Sequence, residues 1–350
     1  MDSSNLTGTV MGDDANAVIR EMMSRISVHG TVYQSGEHSM NRNLSIQEMF
    51  NAQLCLTNPR KRIFKSALSP FNPGLAAARF IYMLSGSNLL EPITFYSKSA
   101  CRFSDDGITI PESSYGMRIF GGESGKNQFD LASKTILARS DTKRAVIDLH
   151  DADDLARLQS CDIPCALNIV FMPRSDMLHA TVAMRANDAM QLMPYNVFEF
   201  SLLQECMSAC VGLKLGNYWH TAVSMHLRGE NIAKAQKLSQ EATESCAMSA
   251  ISSFPETTRL RLVQEEGEIR NKSAHSANAM FDQISKFWGE YAAVWADILS
   301  TLACEAFRLH NKHSLGWVRD IGGRIIEERG KEAPLIQAYC DFLDHLATTT

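Results

Sequence analysis

The sequence predicts an α/β (α+β) protein in which a largely buried sheet is flanked by helices and followed by a helical C-terminal extension. Three observations support this. Apolar runs of strand length recur at 144–149, 166–171, 179–184 and 218–227, longer apolar runs of helical length stand at 74–84 and 197–211, and beyond Glu230 the composition turns charged and Ala-rich. The short runs are rich in β-branched residues, whereas the long ones are apolar on all sides, as expected of helices buried inside a domain.

In chain order, residues 1–16 (MDSSNLTGTVMGDDAN) are polar and acidic, with no basic start followed by an apolar run, and read as a disordered leader, not a secretory signal. Val18, Ile19, Met22, Met23 and Ile26 have helical spacing over 17–28. Ala52–Leu56 reads as a short strand stopped by Asn58-Pro59, and Gly74–Leu84 as a helix ended by Ser85-Gly86. Ser104-Asp105-Asp106-Gly107 is a turn. In the C-terminal part Phe281, Ile284, Phe287, Trp288, Tyr291, Trp295 and Ile298 mark one helical stretch, and Cys304, Trp317 and Cys340 read as packing residues. The expected organisation is a leader (1–16), a catalytic domain (17–235) and a helical extension (236–350).

A chain of 350 residues can bury a sizeable core in one large domain or two smaller ones. A net charge of −5 gives no general attraction to nucleic acid or anionic membrane, so any affinity for phosphate must come from a local cluster of bases. No run of eighteen apolar residues suggests a membrane span. Nine cysteines, an odd number without small-scaffold spacing, fit a reducing compartment and a cytoplasmic protein better than a disulfide framework.

Function is carried by an ordered set of polar residues: Asp141-Thr142-Lys143-Arg144, Ile163-Pro164-Cys165, Met184-Arg185-Ala186-Asn187-Asp188, Pro194-Tyr195-Asn196 and His226-Leu227-Arg228. A phosphate dianion is best met by guanidinium groups, which stay charged and present a planar fork of donors; Arg144 and Arg185 are candidates. A pyrimidine whose C5 must become carbanion-like needs a soft nucleophile at C6, and Cys165 can supply a thiolate. The plainer reading of Cys165 is a buried strand cysteine.

Order and spacing of these residues, with Leu84-Ser85-Gly86-Ser87-Asn88 and Tyr115-Gly116, resemble the thymidylate synthase and pyrimidine-nucleotide hydroxymethylase family over roughly residues 30–235. The resemblance implies a fold with a large mixed sheet, an obligate dimer with shared active sites, and 5,10-methylenetetrahydrofolate as one-carbon donor. It makes Cys165 the nucleophile, and Arg42, Arg185 and, from the second subunit, Lys143 and Arg144 the phosphate clamp. Asp188 faces the folate pterin, Asn196 the pyrimidine edge and His226 the sugar.

Several positions depart from the family pattern. Lys143 replaces an Arg fork by a point charge. Ala186 replaces Ser and makes room beside the ribose, and Arg228 replaces Tyr, adding donors for vicinal hydroxyls. These changes point to ribonucleotides, and the pair Lys143 and Ala186 resembles the CMP 5-hydroxymethylases of nucleoside-antibiotic biosynthesis, with Asn196 leaving UMP open. Arg79 stands where the family carries a proton-moving Glu, which leaves Tyr115, Asp188 or water to act as acid or base. Leu192 replaces a Gly beside the folate. Ala100 and Cys101 stand near the position of an aromatic shield, and an open site there admits water and favours a hydroxymethyl product.

Other features read as structural. Cys206 and Cys210 share a helical face and fit core packing better than metal binding. Cys161 is close enough in sequence to trap Cys165 in a disulfide, although an exposed neighbour is the simpler reading. His310 and His313 fall in a polar loop, and Gly121–Gly125 lacks the Lys-Ser/Thr of a phosphate-binding loop. The leading expectation is C5 hydroxymethylation of a pyrimidine ribonucleoside monophosphate, CMP before UMP. The alternatives are C5 methylation of UMP or dUMP, and a catalytically weak nucleotide-binding or regulatory protein.

Overall fold

A computed structural model describes residues 9–35, 44–68, 71–110, 114–121, 125–241, 243–272, 277–311 and 315–349. Arg42, His313 and part of the Gly121–Gly125 segment lie outside the described residues. The strands are β1 (Thr9–Gly12), β2 (Thr31–Ser35), β3 (Leu44–Leu56), β4 (Ala145–Asp148), β5 (Ala166–Arg174), β6 (Met177–Asp188) and β7 (Lys214–Arg228). The helices of the sheet-forming part are α1 (Ala15–His29), α2 (Pro73–Ser85), α3 (Leu90–Tyr96), α4 (Tyr115–Phe120), α5 (Gln128–Ala138), α6 (Ala152–Ala156) and α7 (Met193–Val211). After β7 come α8 (Ile232–Leu238), α9 (Glu256–Lys272), α10 (Ala277–Glu290), α11 (Ala293–His310), α12 (Leu315–Arg329) and α13 (Pro334–Thr349).

The strands form one mixed sheet in the order β1-β3-β7-β6-β5-β4, with β2 also pairing β3. β1 with β3 and β6 with β7 are parallel, and the remaining pairs are antiparallel. Chain chemistry explains the joints. Ser175 and Asp176, both with positive φ, make a two-residue turn between β5 and β6, the geometry that matches strand twist. β6 reaches its parallel neighbour β7 by way of α7, which is apolar on nearly every side and correspondingly buried along most of its length. Asn72 caps α2 through Oδ1 to the amides of Gly74 and Leu75, Pro73 opens the helix, and Gly86 in the left-handed region closes it, as the sequence signals require.

Two expectations change. The segment read as a disordered leader contains β1, which pairs in parallel with residues 53–56 of β3, and Asp14, whose carboxylate caps α1 at the amides of Asn16 and Ala17. Four residues are too few to announce a strand; the edge of β3 recruits them. The apolar stretch 281–298 is two helices, because the chain turns at Tyr291-Ala292 between α10 and α11. The C-terminal helices share one continuous core with the sheet. α11 lies so close to the start of α2 that a Cβ on Gly74 would stand 2.6 Å from the Cβ of Glu305. We retain residues 17–235 as a proposed catalytic portion and 236–350 as a proposed extension, since the sheet is complete at β7. No described helix is long and apolar enough to cross a membrane.

The approach of α4 to the end of α2 is equally tight: a Cβ on Gly116 would lie 2.1 Å from the carbonyl oxygen of Met83. Backbone cannot yield as a flexible side chain does, so Gly116→Ala is expected to destabilise the protein by about 1–3 kcal/mol or more. A denaturant titration showing an unchanged midpoint would contradict this packing.

Candidate active site

Cys165 ends the Ile163-Pro164-Cys165 segment immediately before β5, and Arg185 of β6 holds that segment in place. The Arg185 amide donates to the Cys165 carbonyl at 2.8 Å, its Nε to the Pro164 carbonyl at 2.8 Å, and Nη2 to the Ile163 carbonyl at 3.0 Å. From the other side the buried hydroxyl of Tyr115 accepts the Ala166 amide at 3.2 Å, and its ring packs on Phe200 of α7 at 5.6 Å. The close contact of α4 with α2 thus aims Tyr115 at the residue next to Cys165. Burial pushes the Cys165 thiol above its ordinary pKa, Arg185 pulls it down and Asp162 pushes it up. Burial also raises the Tyr115 phenol well above its usual range, with the nearby Cys165 acting in the same sense.

The parallel register of β6 and β7 sets Ala186 opposite Ser224 and Asp188 opposite His226. Asp188 is buried: Oδ1 accepts the amides of Met190 and Gln191 at 3.0 and 2.9 Å, and Oδ2 accepts Nε of Arg228 at 3.0 Å. Arg228, expected to serve sugar hydroxyls, therefore commits one donor to a carboxylate. Nδ1 of His226 is buried and makes none of the described hydrogen bonds, while the ring lies against the Ser224 backbone and Asp188; burial lowers its pKa, and Asp188 and the Ser224 backbone oppose that shift. Leu192 directly precedes α7, its amide donating to the Asp188 carbonyl at 3.1 Å.

Lys143 and Arg144 lie exposed before β4, where the Thr142 hydroxyl accepts the Arg144 amide at 3.1 Å. Arg185, expected in the phosphate clamp, uses two guanidinium nitrogens on loop carbonyls, which leaves Nη1 outside those contacts. Ala100 is buried with Leu90, Ile93 and Ile110 in a small cluster, and Cys101 is exposed. Cys161 and Cys165 are both free thiols, and Cys161 engages Asp105 through both its amide and its sulfur. Cys206 is buried and Cys210 meets the Phe254 carbonyl. Among the described residues no group of three or more His, Cys, Asp and Glu is arranged to hold a metal.

Arg79 has a partner that the sequence did not announce. Its guanidinium grips the buried carboxylate of Glu199 on α7 through two nitrogens and stacks 5.3 Å over the ring of Tyr195. Where the resemblance implies an acid at 79 this chain has a cation, and a carboxylate reaches it from the opposite helix. Burial raises the Glu199 pKa, Arg79 opposes it, and a hydrogen bond from the Asn196 side chain acts with Arg79. Asn196 in turn accepts Nδ2 of Asn187 at 2.9 Å, and Asn187 meets His220 at 2.9 Å. Sequence reading missed Glu199, Asn187 and His220. A signal existed for the first: Glu199 is one of only two charges, with Glu205, in an apolar helical run, and stands one turn after Asn196.

A family model described as thymidylate synthase matches residues 94–277, more than half of the chain, and the chain belongs to that family. It is a one-carbon transferase whose donor is 5,10-methylenetetrahydrofolate. The residues present fit that donor: a carboxylate offers about four acceptor positions, and the three hydrogen bonds to Asp188 leave it able to accept another from a pterin N–H. A deoxyuridylate hydroxymethyltransferase of Bacillus phage SP01 is 24% identical over 281 residues, covering 77% of this chain and 71% of that protein. Proteins of the same description from Pseudomonas phage M6 and Delftia phage PhiW-14 are 30% and 28% identical over 183 and 204 residues. The chain spans about half the length of those two relatives, 51% and 56%.

Because Arg185 favours the Cys165 thiolate against burial, Arg185→Gln is expected to raise the thiol pKa. Alkylation of Cys165 by iodoacetamide should slow at neutral pH and its pH profile should move to higher pH. A profile that stays in place would mean that the guanidinium does not act on the sulfur.

Proposed function

We propose that this chain hydroxymethylates C5 of a pyrimidine ribonucleoside monophosphate, CMP before UMP, in sites shared between two subunits. The observation that carries the reading is the convergence at one end of β5, β6 and β7 of the Cys165 thiol, the small Ala186, the carboxylate Asp188 and the buried Nδ1 of His226. In this reading the Cys165 thiolate adds to C6 of the pyrimidine, which turns C5 into a nucleophile. Arg185 supports the thiolate, and its remaining nitrogen reaches the phosphate with Arg42, Lys143 and Arg144. His226 meets the sugar, and Ala186 leaves space for a 2′-hydroxyl. Asp188 holds the pterin of the donor, which supplies a one-carbon unit at the oxidation level of formaldehyde. Tyr115, Asp188 or a bound water moves protons between base and solvent.

Hydroxymethylation is supported by the function of the phage relatives, and ribonucleotide preference by Ala186 and Arg228. Those relatives are described as acting on deoxyuridylate, which makes dUMP the competing substrate. A shared site is supported by the outer face of the sheet. There Val146, Val170, Thr181 and Trp219 form a row across β4, β5, β6 and β7, with Phe50 67% and Val223 46% exposed on the same face. A depression of about 310 Å³ is lined by Gln53, Val170, Met172, His179, Thr181 and Trp219. An apolar sheet face of this extent suits a second copy of the chain.

Incubation of CMP, UMP, dCMP and dUMP in tritiated water should show Cys165-dependent exchange of the C5 hydrogen, strongest for a ribonucleotide. With methylenetetrahydrofolate the product should carry the mass of a hydroxymethyl group and not a methyl group. Exchange confined to deoxyribonucleotides would refute the sugar assignment, and nucleotide binding without any exchange would favour a regulatory protein.

Two inactive variants, Cys165→Ala and Arg144→Ala, should regain part of the activity when mixed and allowed to exchange subunits, since one site of the heterodimer has both the thiol and the clamp. Exchanged heterodimers without recovered activity would rule out a clamp contributed across the interface.

A further inference from the structure

Five hydrogen-bonded side chains run in file behind the proposed base site and end on an ion pair. Tyr218 Oη meets His220 Nδ1 at 3.0 Å, His220 Nε2 meets Asn187 Oδ1 at 2.9 Å, and Asn187 Nδ2 donates to Asn196 Oδ1 at 2.9 Å. Asn196 then donates to Glu199, which Arg79 holds. Tyr218, His220, Asn187, Asn196 and Glu199 are all buried.

The direction of every bond is set at the Glu199 end. A carboxylate paired with guanidinium only accepts, so Asn196 must turn its amino group toward Glu199 and its oxygen toward Asn187 Nδ2, which leaves the Asn187 oxygen for His220. Burial lowers the His220 pKa to about 4, so the ring is neutral at physiological pH; it then donates from Nε2 and accepts at Nδ1. Tyr218, whose phenol burial raises well above its usual range, keeps its proton, and its hydroxyl can donate to Nδ1 or accept from it, so that end follows whichever direction Glu199 sets. A flipped Asn196 would set oxygen against the Glu199 carboxylate and amino group against amino group, leaving two buried contacts repulsive.

Uracil presents N3–H as a donor and O4 as an acceptor, whereas cytosine presents N3 as an acceptor and its amino group as a donor. An amide that can flip matches either base; an amide held one way matches one. We propose that the Arg79–Glu199 pair is a specificity lock: it holds the Asn196 amide in a single orientation, so that the site accepts one pyrimidine and rejects the other. The proposal deepens the reading that Asn196 faces the pyrimidine edge. Arg79 and Glu199 are positioning residues here, acting on the base only through Asn196.

Titration calorimetry with UMP and CMP, without folate, tests this apart from catalysis. The parent protein should prefer one nucleotide by at least about tenfold, the scale of one buried polar mismatch. Glu199→Gln keeps the shape of the side chain but can donate as well as accept, so it should bring the two affinities close together, mainly by tightening the disfavoured nucleotide. A loss of structural integrity would instead weaken both alike, and that result, or an unchanged ratio, overturns the proposal. If Glu199→Gln fails to fold, Arg79→Gln serves the same test, since an unpaired buried Glu199 takes up a proton and becomes able to donate. Equal binding of UMP and CMP by the parent overturns the lock alone. Binding of neither nucleotide would overturn the proposed function beneath it.

Discussion

The parallel pairing of β6 with β7 is the constraint from which the site follows. A parallel neighbour requires a crossover, and α7 provides it across the sheet. The register sets Asp188 opposite His226 and Ala186 opposite Ser224, and within the same strand pair the Asn187 side chain reaches His220 at 2.9 Å. Since side chains alternate along a strand, a slip of one residue would send Asn187 and His220 out of the core and turn Ala186 and Asp188 the wrong way. Gln204 of α7 ties the arrangement at its far end, donating to the carbonyls of Leu178 and Gly216 from the two strands at 2.8 and 3.1 Å.

Polar groups inside an apolar helix are tolerated only with partners, and α7 shows how they are found. Glu199 meets Arg79 and Asn196, whereas Glu205, two turns nearer the C-terminus, meets Arg60, Arg62 and the Ile251 amide. Ion pairs buried in this way add little net stability, because desolvation of both charges offsets their attraction. What they supply is orientation. Glu205 joins the loop before α2 to the segment before α9, and Glu199 joins α2 to the amides behind the site.

The C-terminal helices reach the same network. Glu305 of α11 accepts Asn72 Nδ2 at 2.8 Å and the Tyr339 hydroxyl at 2.7 Å, while the Asn72 amide donates to the Tyr195 hydroxyl at 2.9 Å. Tyr195 lies under Arg79. An unbroken path of contacts therefore links α13 to the Arg79–Glu199 pair, and residues that offered no catalytic pattern in sequence become part of the wall that supports the site.

The sequence by itself determined several of the main elements and the set of candidate site residues. Apolar periodicity located α2 and α7 to within a few residues at most boundaries, and turn chemistry ended α2 at Gly86, because these features depend on neighbours along the chain. The order of Cys165, Arg185, Asp188, Asn196 and His226 was legible for a related reason: each stands in a short motif whose residue types have a chemical purpose. What only the tertiary structure decided are the pairings between distant segments. β1 is a strand because an edge of β3 lies beside it, Arg185 and Arg228 commit donors to the Ile163 and Pro164 carbonyls and to Asp188, and Arg79 finds its carboxylate partner 120 residues away in Glu199. Hydrogen-bond partners at that separation leave no periodic trace, since nothing along the chain fixes which buried donor will face which acceptor until the strands and helices have closed around them.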